Sequence, residues 1–250
     1  MVQDLEHILT AFSKISLREM NAVALLDRTD TKFVIPEHQL SQLLMELAAN
    51  YKVLHMHKKS VLGYTSLYYD TPEYRFYNEH HNGKIKRTKV RIRRYDDAGV
   101  LFLEVKQKDG RGNTHKTRKP IANFETVLSS NSSAFIKEVT GVVHDLQPAI
   151  WSSFHRITLV HKEKAERATM DLKLKYSLED TEKDVEGVVI IEVKQPRLDR
   201  NSDLIKLLRL NSITPYKISK YCIGMLKIHS NLKYNLFKEK QLKLANIKSA

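Results

Sequence analysis

Polar and apolar residues alternate with a period of two through much of the middle of the chain. In residues 89–95, cations occupy every second position and aliphatic side chains stand between them. Residues 103–107 repeat the pattern, with Glu104 and Lys106 on one side. Because successive side chains of a strand point to opposite faces, each segment is predicted to be a strand with one charged and one aliphatic face.

The alternation and its turn signals predict about eight strands. They cover residues 26–35, 61–70, 84–95, 100–108, 114–121, 153–162, 167–176 and 187–194. Clusters of Asp, Asn and Gly at 80–83, 96–99 and 109–113 indicate turns between successive strands. Charge at every second position on several strands is what a polar-lined barrel requires. The predicted fold is therefore α+β: a closed antiparallel β-barrel, or tunnel, of about eight strands with helices packed outside.

Apolar residues at helical spacing predict helices before, between and after the strands. They are expected over residues 2–15, for about four turns after Pro36, and over 202–210 and 217–229. Residues 123–150 are predicted to be a mostly helical insert outside the sheet, and Ser16 with Glu19 forms a candidate capping box. The predicted organisation is an N-terminal helical segment at 1–25, a barrel domain at 26–230 and a basic tail at 231–250.

The composition of the chain indicates the kind of ligand that it binds and the cellular compartment in which it is expected. The 250 residues carry 42 Lys and Arg against 29 Asp and Glu, a net charge of +13, which implies a polyanionic partner. The one cysteine, Cys222, is predicted to be a packed thiol in a reducing compartment, so a cytoplasmic location is expected. No apolar run is long enough to span a bilayer, and the N-terminus lacks the pattern of a secretion signal.

The predicted inner face of the barrel carries more cations than carboxylates. Unpaired buried charge is costly, so the surplus indicates an anionic ligand, above all a chain of phosphates. The minority of carboxylates indicates an oxygen-bound divalent metal that bridges phosphates. The inner cations are Lys32, Lys89, Arg91, Arg93, Lys106, Arg156, Arg167, Lys173 and Lys194, and the inner acids are Asp30, Glu104, Asp171 and Glu192. The competing interpretation is a set of solvated faces with cross-strand ion pairs.

Six motifs in order resemble the polyphosphate polymerase domain of the vacuolar transporter chaperone (VTC) type, in the triphosphate tunnel metalloenzyme superfamily. The resemblance covers about 200 residues, from Leu26 to Met225. The motifs are Leu26-Asp27-Arg28-Thr29-Asp30-Thr31-Lys32-Phe33, Leu67-Tyr68-Tyr69-Asp70-Thr71-Pro72, residues 89–95, the Glu-Val-Lys-Gln stretches at 104–107 and 192–195, and Tyr216-Lys217-Ile218-Ser219-Lys220-Tyr221.

The resemblance implies an enzyme that transfers the terminal phosphate of ATP to inorganic polyphosphate and releases ADP. It implies Mn²⁺ or Mg²⁺ as cofactor, held by Glu192 with Glu104 as a second candidate, and catalytic roles for Arg91, Arg93, Lys106 and Glu192. The implied phosphate-binding residues are Lys32, Lys89, Arg91, Arg93, Lys106, Arg156, Arg167, Lys194, Lys217 and Lys220. The mechanism would be alignment and charge neutralisation, with no nucleophilic side chain.

The sequence departs from two relatives of that domain. Arg28, Asp30 and Lys32 stand where the tunnel hydrolases have alternating glutamates, which disfavours a simple triphosphatase. The chain also lacks the inositol-phosphate sensor domain of the yeast-type proteins and any membrane segment, so product export would need a separate membrane protein. The partners expected are ATP and inorganic polyphosphate.

Two other functions remain open at this point. A tunnel triphosphatase would use water as acceptor on inorganic or nucleoside triphosphate, and a non-catalytic module would only bind polyphosphate. Specific nucleic-acid binding is not expected, because Tyr68 and Tyr69 point to opposite faces and suit packing better than base stacking.

Overall fold

The computed structural model describes residues 2–22, 29–111 and 113–249. Its core is an eleven-stranded sheet whose pairs are antiparallel except for β1 with β3. The strands are β1 Ser13–Ile15, β2 Thr29–Pro36, β3 Tyr51–Leu54, β4 Leu62–Asp70, β5 Arg87–Tyr95, β6 Val100–Lys108, β7 Thr114–Ile121, β8 Gln147–His161, β9 Arg167–Leu178, β10 Thr181–Val185 and β11 Val188–Gln195. The helices are α1 Val2–Leu9, α2 Leu17–Ala22, α3 Leu40–Leu47, α4 Arg75–His81, α5 Ser130–Thr140, α6 Asp203–Leu210, α7 Lys220–Ile228 and α8 Lys238–Ser249.

The prediction of a closed barrel is wrong in one respect, because hydrogen bonds do not close the sheet. Eight strands follow the order β2-β11-β9-β8-β4-β5-β6-β7, and within the described residues no pairing joins β7 back to β2. Strand β7 has the features of an edge strand. It is mostly exposed, carries Lys116, Arg118 and Lys119, and includes Pro120, which has no N–H to donate. The antiparallel α+β architecture itself agrees with the prediction.

The aliphatic faces of the strands are covered by helices. On β5 and β6, Val90 and Leu103 are fully buried in a cluster that includes Ile136 of α5. A second cluster packs α1, α3 and α6 on the outer faces of β2, β8, β9 and β11. Burying one face in this way commits the opposite face, with its charges, to the interior of the curled sheet.

Helix α7 packs against the sheet through its own small and apolar residues. Tyr221, Cys222 and Met225 are buried in a cluster with Ile150 and Tyr176 of β8 and β9. This agrees with the expectation of a packed thiol at Cys222.

A buried carboxylate holds the start of α7 to β4 and α4. Asp70 accepts hydrogen bonds from the backbone N–H of Phe76 and Tyr77 at 2.8 and 2.9 Å, and from the hydroxyl of Tyr221. The first turn of α7, which follows Ser219, is thereby fixed relative to the sheet.

A bulge in β9 changes which of its residues face inward. The β8–β9 register shifts between Ser153 and His155, and Lys173 opposite has a φ of +54°. Lys173 therefore leaves the inner face on which it was predicted and pairs with Glu37 at 3.2 Å. A bulge that resets the alternation in this way is a local backbone event that the side-chain pattern does not reveal.

Two further expectations need correction. The helix predicted over 2–15 ends at Leu9, and Ser13–Ile15 instead pairs with β3. The helix after Pro36 is shorter than four turns, since Pro36 ends β2 and a single 3₁₀ turn precedes α3. The tail at 231–250, for which the sequence predicts no element, contains α8. Arg28, Leu26 and Asp27 lie outside the described residues.

No helix in the described part of the chain is both long and apolar enough to cross a bilayer.

Candidate functional site

A cavity of about 820 Å³ lies on the charged face of the curled sheet, and it is called the lumen below. Both edge strands contribute to it, since Lys32 of β2 and Lys116 of β7 are among its lining residues. The sheet therefore wraps around a shared interior although its edges are not hydrogen-bonded. The lining cations are Lys32, Lys89, Arg91, Arg93, Lys106, Lys116, Arg118, Arg156, Arg167, Lys194 and Lys220.

Glu104 of β6 is a buried carboxylate held by cations from both neighbouring strands. Its Oε2 accepts from Nε and Nη2 of Arg91 at 2.8 and 2.6 Å, and its Oε1 accepts from Nζ of Lys116 at 2.6 Å. Burial raises the pKa of Glu104, but Arg91, Arg93 and Lys116 outweigh that effect and hold the pKa well below its usual range. Glu104 is thus a fixed negative charge that orients two cations of the lumen.

Asp171 of β9 has the same role on the opposite wall. It is fully buried, accepts from Nε and Nη2 of Arg156 at 2.5 and 2.8 Å, and forms an ion pair with Lys220. Burial raises the pKa of Asp171, but the two cations outweigh it and keep the pKa below its usual range. The Arg156 guanidinium also lies over the rings of Tyr64 and Phe154, at 5.0 and 5.3 Å from their centroids.

Glu192 of β11 is a partly buried carboxylate that lines the lumen. It forms an ion pair with Lys194, and its register partners are Lys32 on β2 and Thr169 on β9. Burial raises the pKa of Glu192, but Lys194 and Lys32 outweigh it and the pKa lies well below its usual range. The Thr169 hydroxyl is buried and has no hydrogen-bond partner among the described residues.

Five further cations of the lumen have no carboxylate partner within the described residues. Lys89 donates from Nζ to the hydroxyl of Ser219 at 2.9 Å, and burial together with Lys32 and Lys106 lowers the pKa of Lys89 to about 8. A bound anion would favour the charged ammonium form and raise this lowered pKa again. The site therefore favours an anionic ligand. Within the described residues, Lys32, Lys89, Arg93, Lys106 and Arg118 form no salt bridge with a carboxylate.

The structure brings together nearly all of the residues predicted for the site. Lys32, Lys89, Arg91, Arg93, Glu104, Lys106, Arg156, Arg167, Glu192, Lys194 and Lys220 line the lumen. Lys217 does not line the lumen. It is exposed and lines a second, adjoining cavity. The roles assigned to these residues stay predictions, whereas their convergence on one cavity is a structural fact.

Two lumen cations were missed. Lys116 and Arg118 of β7 line the lumen, but the sequence places them only on one face of a predicted strand and does not indicate that this face is internal. The signal that could have found them is the hairpin register, which pairs Arg118 with Glu104 and Lys116 with Lys106. Directly paired residues share a face, so charge on the inner face of β6 implies charge on the inner face of β7.

The carboxylates of the lumen suit a metal that is held jointly with phosphate. No group of three or more His, Cys, Asp or Glu side chains in the described residues is arranged as a metal site. Both oxygens of Glu104 are engaged by cations, whereas Glu192 lies beside the unpartnered hydroxyl of Thr169. Because Mg²⁺ and similar ions are commonly held by one or two carboxylates plus substrate phosphates, Glu192 is the residue that fits such an ion.

The arrangement can bind, align and neutralise a phosphate chain. Guanidinium groups held in fixed orientations by buried carboxylates present rigid donors to phosphate oxygens. The one cysteine, Cys222, is buried, and burial raises the pKa of its thiol, which disfavours it as a nucleophile. The chemistry that suits the lumen is therefore phosphate chemistry between bound anions.

Three solved structures are similar to the chain over most of its length at low sequence identity. A candidate adenylyl cyclase from Hippeastrum, whose description reports a dominant triphosphatase activity, shares 16% identity with a TM-score of 0.49, covering 84% of this chain and 99% of that one. Candidate adenylate cyclases from Vibrio parahaemolyticus and Bacillus halodurans share 12% and 13% identity with TM-scores of 0.48 and 0.46. They cover 79% and 77% of this chain, and 97% and 94% of their own. No curated protein matches the chain.

The model of one protein family matches the chain. It is described as the VTC domain, and the match covers residues 27–229. That range includes all eleven strands except β1 and every lumen residue described above. The chain therefore belongs to the VTC domain family.

Proposed function

We propose that this protein is a polyphosphate polymerase that transfers the terminal phosphate of ATP to the end of an inorganic polyphosphate chain and releases ADP. The observation that carries the proposal is the set of lumen cations without carboxylate partners, Lys32, Lys89, Arg93, Lys106 and Arg118. They leave a strongly positive interior that a nucleotide and a second phosphate chain can neutralise together.

The reaction requires little covalent chemistry from the protein. A terminal oxygen of the acceptor chain attacks the γ-phosphorus of ATP, and the bond from that phosphorus to the bridging oxygen breaks, so the electron pair leaves with ADP. Arg91, Arg93 and Lys106 would neutralise charge on the transferred group, while Arg156 and Lys220 on the opposite wall would hold a phosphate chain. A divalent ion such as Mn²⁺ or Mg²⁺, held by Glu192 with the phosphates, would neutralise further charge.

The protonation state of the carboxylates favours transfer to phosphate over transfer to water. A hydrolase benefits from a general base that accepts a proton from water. Glu104, Asp171 and Glu192 all have pKa values held below the usual range by neighbouring cations, which makes them weak bases. The terminal phosphate of an acceptor is already anionic and needs no base, so this supports a polymerase over a triphosphatase.

The two ends of the lumen also differ in a way that suits two ligands. One end is lined by apolar side chains from α2, β3 and the β5–β6 hairpin, among them Met20, Leu54 and Val100. The other end adjoins the second, lysine-rich cavity. An apolar end suits a nucleoside and a basic end suits a phosphate chain, so we assign the nucleotide to the first and polyphosphate to the second.

The test is incubation of the purified protein with ATP and Mn²⁺ or Mg²⁺, with and without a short polyphosphate primer, and separation of the products by gel electrophoresis. Long chains with stoichiometric ADP are expected. Orthophosphate without chains would move the function to a triphosphatase, and absence of turnover with retained polyphosphate binding would indicate a non-catalytic module.

The variant Arg93→Ala is expected to reduce transfer by at least about a hundredfold, because a donor to the developing charge is lost. Arg94→Ala is the matched control, since Arg94 is the next residue on the same strand and its salt bridge to Asp96 is outside the lumen. Equal activity in the two variants would refute the assignment of the lumen as the active site.

A further inference from the structure

A second cavity of about 1320 Å³ adjoins the lumen and is called the vestibule below. It lies between α4, α7, α8, the segment 215–219 and the ends of β5 and β6. The residues that line both cavities are Asp30, Lys32, Lys89, Lys106, Ile218 and Ser219. A ligand that extends beyond the lumen at this end therefore enters the vestibule.

The vestibule carries a surplus of positive charge of its own. Beyond the residues that it shares with the lumen, the described lining contains seven cations and two carboxylates, Asp184 and Glu186. None of these seven cations forms a salt bridge with a carboxylate of the described residues. They are Arg87, Lys108, Lys183, Lys217, Lys227, Lys238 and Lys240.

His80 of α4 lines the vestibule and lies close to several of its cations. Its Nδ1 is buried and has no hydrogen-bond partner among the described residues. Burial lowers the pKa of His80 to about 2, and Lys89, Arg87 and Lys240 add to that effect. The imidazole thus stays neutral beside these cations.

The C-terminal helix is attached to the lumen wall by specific contacts. The backbone N–H of Tyr216 donates to the carbonyl of Lys32 on β2 at 2.6 Å, and the Tyr216 hydroxyl donates to the carbonyl of Lys240 on α8 at 3.0 Å. The Lys243 ammonium lies over the Tyr216 ring, 4.8 Å from its centroid. Through these contacts α8 forms one wall of the vestibule. Tyr216 links α8 to β2, the strand that supplies Lys32 to the lumen.

We infer that the vestibule is a second phosphate-chain site, which holds the part of a polyphosphate chain that extends out of the lumen. The inference rests on the proposed function, because it requires a phosphate chain in the lumen. It adds that binding depends on chain length: only a chain long enough to leave the lumen reaches the cations of α7 and α8. Tripolyphosphate occupies the lumen alone.

The test compares the affinities of tripolyphosphate and of a long polyphosphate of defined length for the full chain, without ATP. The variant is Lys227→Ala/Lys238→Ala, which removes two vestibule cations outside the lumen. The matched control is Lys137→Ala/Lys206→Ala, which removes the same charge from exposed positions of α5 and α6 that line neither cavity. Circular dichroism and thermal melting establish that both variants fold.

The vestibule variant is expected to weaken long-chain binding by about fivefold, as two exposed phosphate contacts should, with tripolyphosphate affinity within about twofold of the native protein. The salt dependence of long-chain binding should also fall by about one counterion for each lysine removed. The control should leave both affinities unchanged.

Several results would overturn the inference. Equal weakening of both ligands would indicate a general effect of net charge, and no change in long-chain affinity would remove the vestibule from the binding site. Failure of the native protein to bind tripolyphosphate would refute the proposed function itself, which keeps the two failures distinct.

Discussion

Glu104 offers a test that separates a structural counter-charge from a metal ligand. The substitution Glu104→Gln keeps the size and one hydrogen-bond acceptor of the side chain but removes its charge. It leaves Arg91 and Lys116 without the carboxylate that now accepts from them at 2.6–2.8 Å. The protein without ligand should therefore become less stable, while the lumen should become more attractive to an anion.

The magnitudes follow from the geometry. Breaking a fully buried ion pair costs about 3–5 kcal/mol, but Lys116 is 40% exposed and Arg91 is 21% exposed, so water compensates in part and a loss of about 2–3 kcal/mol is expected. For a bound phosphate about 8 Å away, at an effective dielectric constant of about 40, removal of one negative charge is worth about 1 kcal/mol, or about fivefold in affinity.

The assay is urea unfolding at neutral pH, followed by titration with tripolyphosphate, first in metal-free buffer and then with Mn²⁺ present. Glu182→Gln is the control, because Glu182 is 64% exposed and its ion pair with Lys175 should contribute less than about 1 kcal/mol. The folded-state pKa of Glu104 is lowered, so its contribution is present above the unfolded pKa of about 4.3 and is lost as the pH falls through the folded value. The difference in stability between the native protein and Glu104→Gln should therefore shrink in acid.

Two results would refute this reasoning. Stability equal to that of the native protein would mean that Arg91 and Lys116 do not depend on the carboxylate. Weaker tripolyphosphate binding without metal would mean that Glu104 supports the ligand and does not compete with it, and a loss seen only with Mn²⁺ present would make Glu104 a metal ligand.

Two further predictions concern proton linkage and packing. Burial lowers the pKa of Lys89 and of Lys194 to about 8, so tripolyphosphate affinity should fall as the pH rises from 8 to 10, and binding in that range should take up protons because the anion favours the ammonium form. Calorimetry in buffers of different ionisation enthalpy measures the uptake, and affinity that is constant over this range would contradict the prediction. The substitution Gly224→Ala should destabilise the protein by about 1–2 kcal/mol despite the better helix propensity of alanine, because the added Cβ would meet Tyr176 and lie 2.6 Å from the Ile150 side chain. A raised melting temperature would contradict this prediction, because it would show that the side chains of β8 and β9 can move to make room for the added Cβ.

Much of the local structure could be predicted because it depends on neighbouring residues. The hairpin around 96–99 and the strand at 114–121 have the predicted limits to within a few residues, since turn residues and alternation act over short range. Ser16 and Glu19 form the predicted capping box, in which each side chain accepts the other residue's backbone N–H. Helix α3 buries Leu40, Leu43, Leu44 and Leu47, as its spacing predicted.

Part of the candidate site was also determined by the sequence. Side-chain direction in a strand follows from the backbone period of two, so Lys89, Arg91 and Arg93 had to share a face wherever the strand lay. The face was assigned to the interior because the alternative side was aliphatic on several strands and needed a cover. That argument selected eleven of the residues that now line the lumen, with Lys220 contributed by the family resemblance.

Tertiary structure decided what depends on contacts between distant residues. The inner face of β7 could not be chosen, because cations occur on both sides of that strand and only the register with Glu104 resolves it. The pairing of Asp171 with Lys220 joins a strand to a helix 49 residues later in the chain. The bulge at Lys173, the open sheet edges and the position of α8 over the vestibule likewise depend on long-range packing. The sequence thus determined which charged groups share a strand face, and the fold decided which of them share a cavity, because period-two geometry is local whereas register and packing are not.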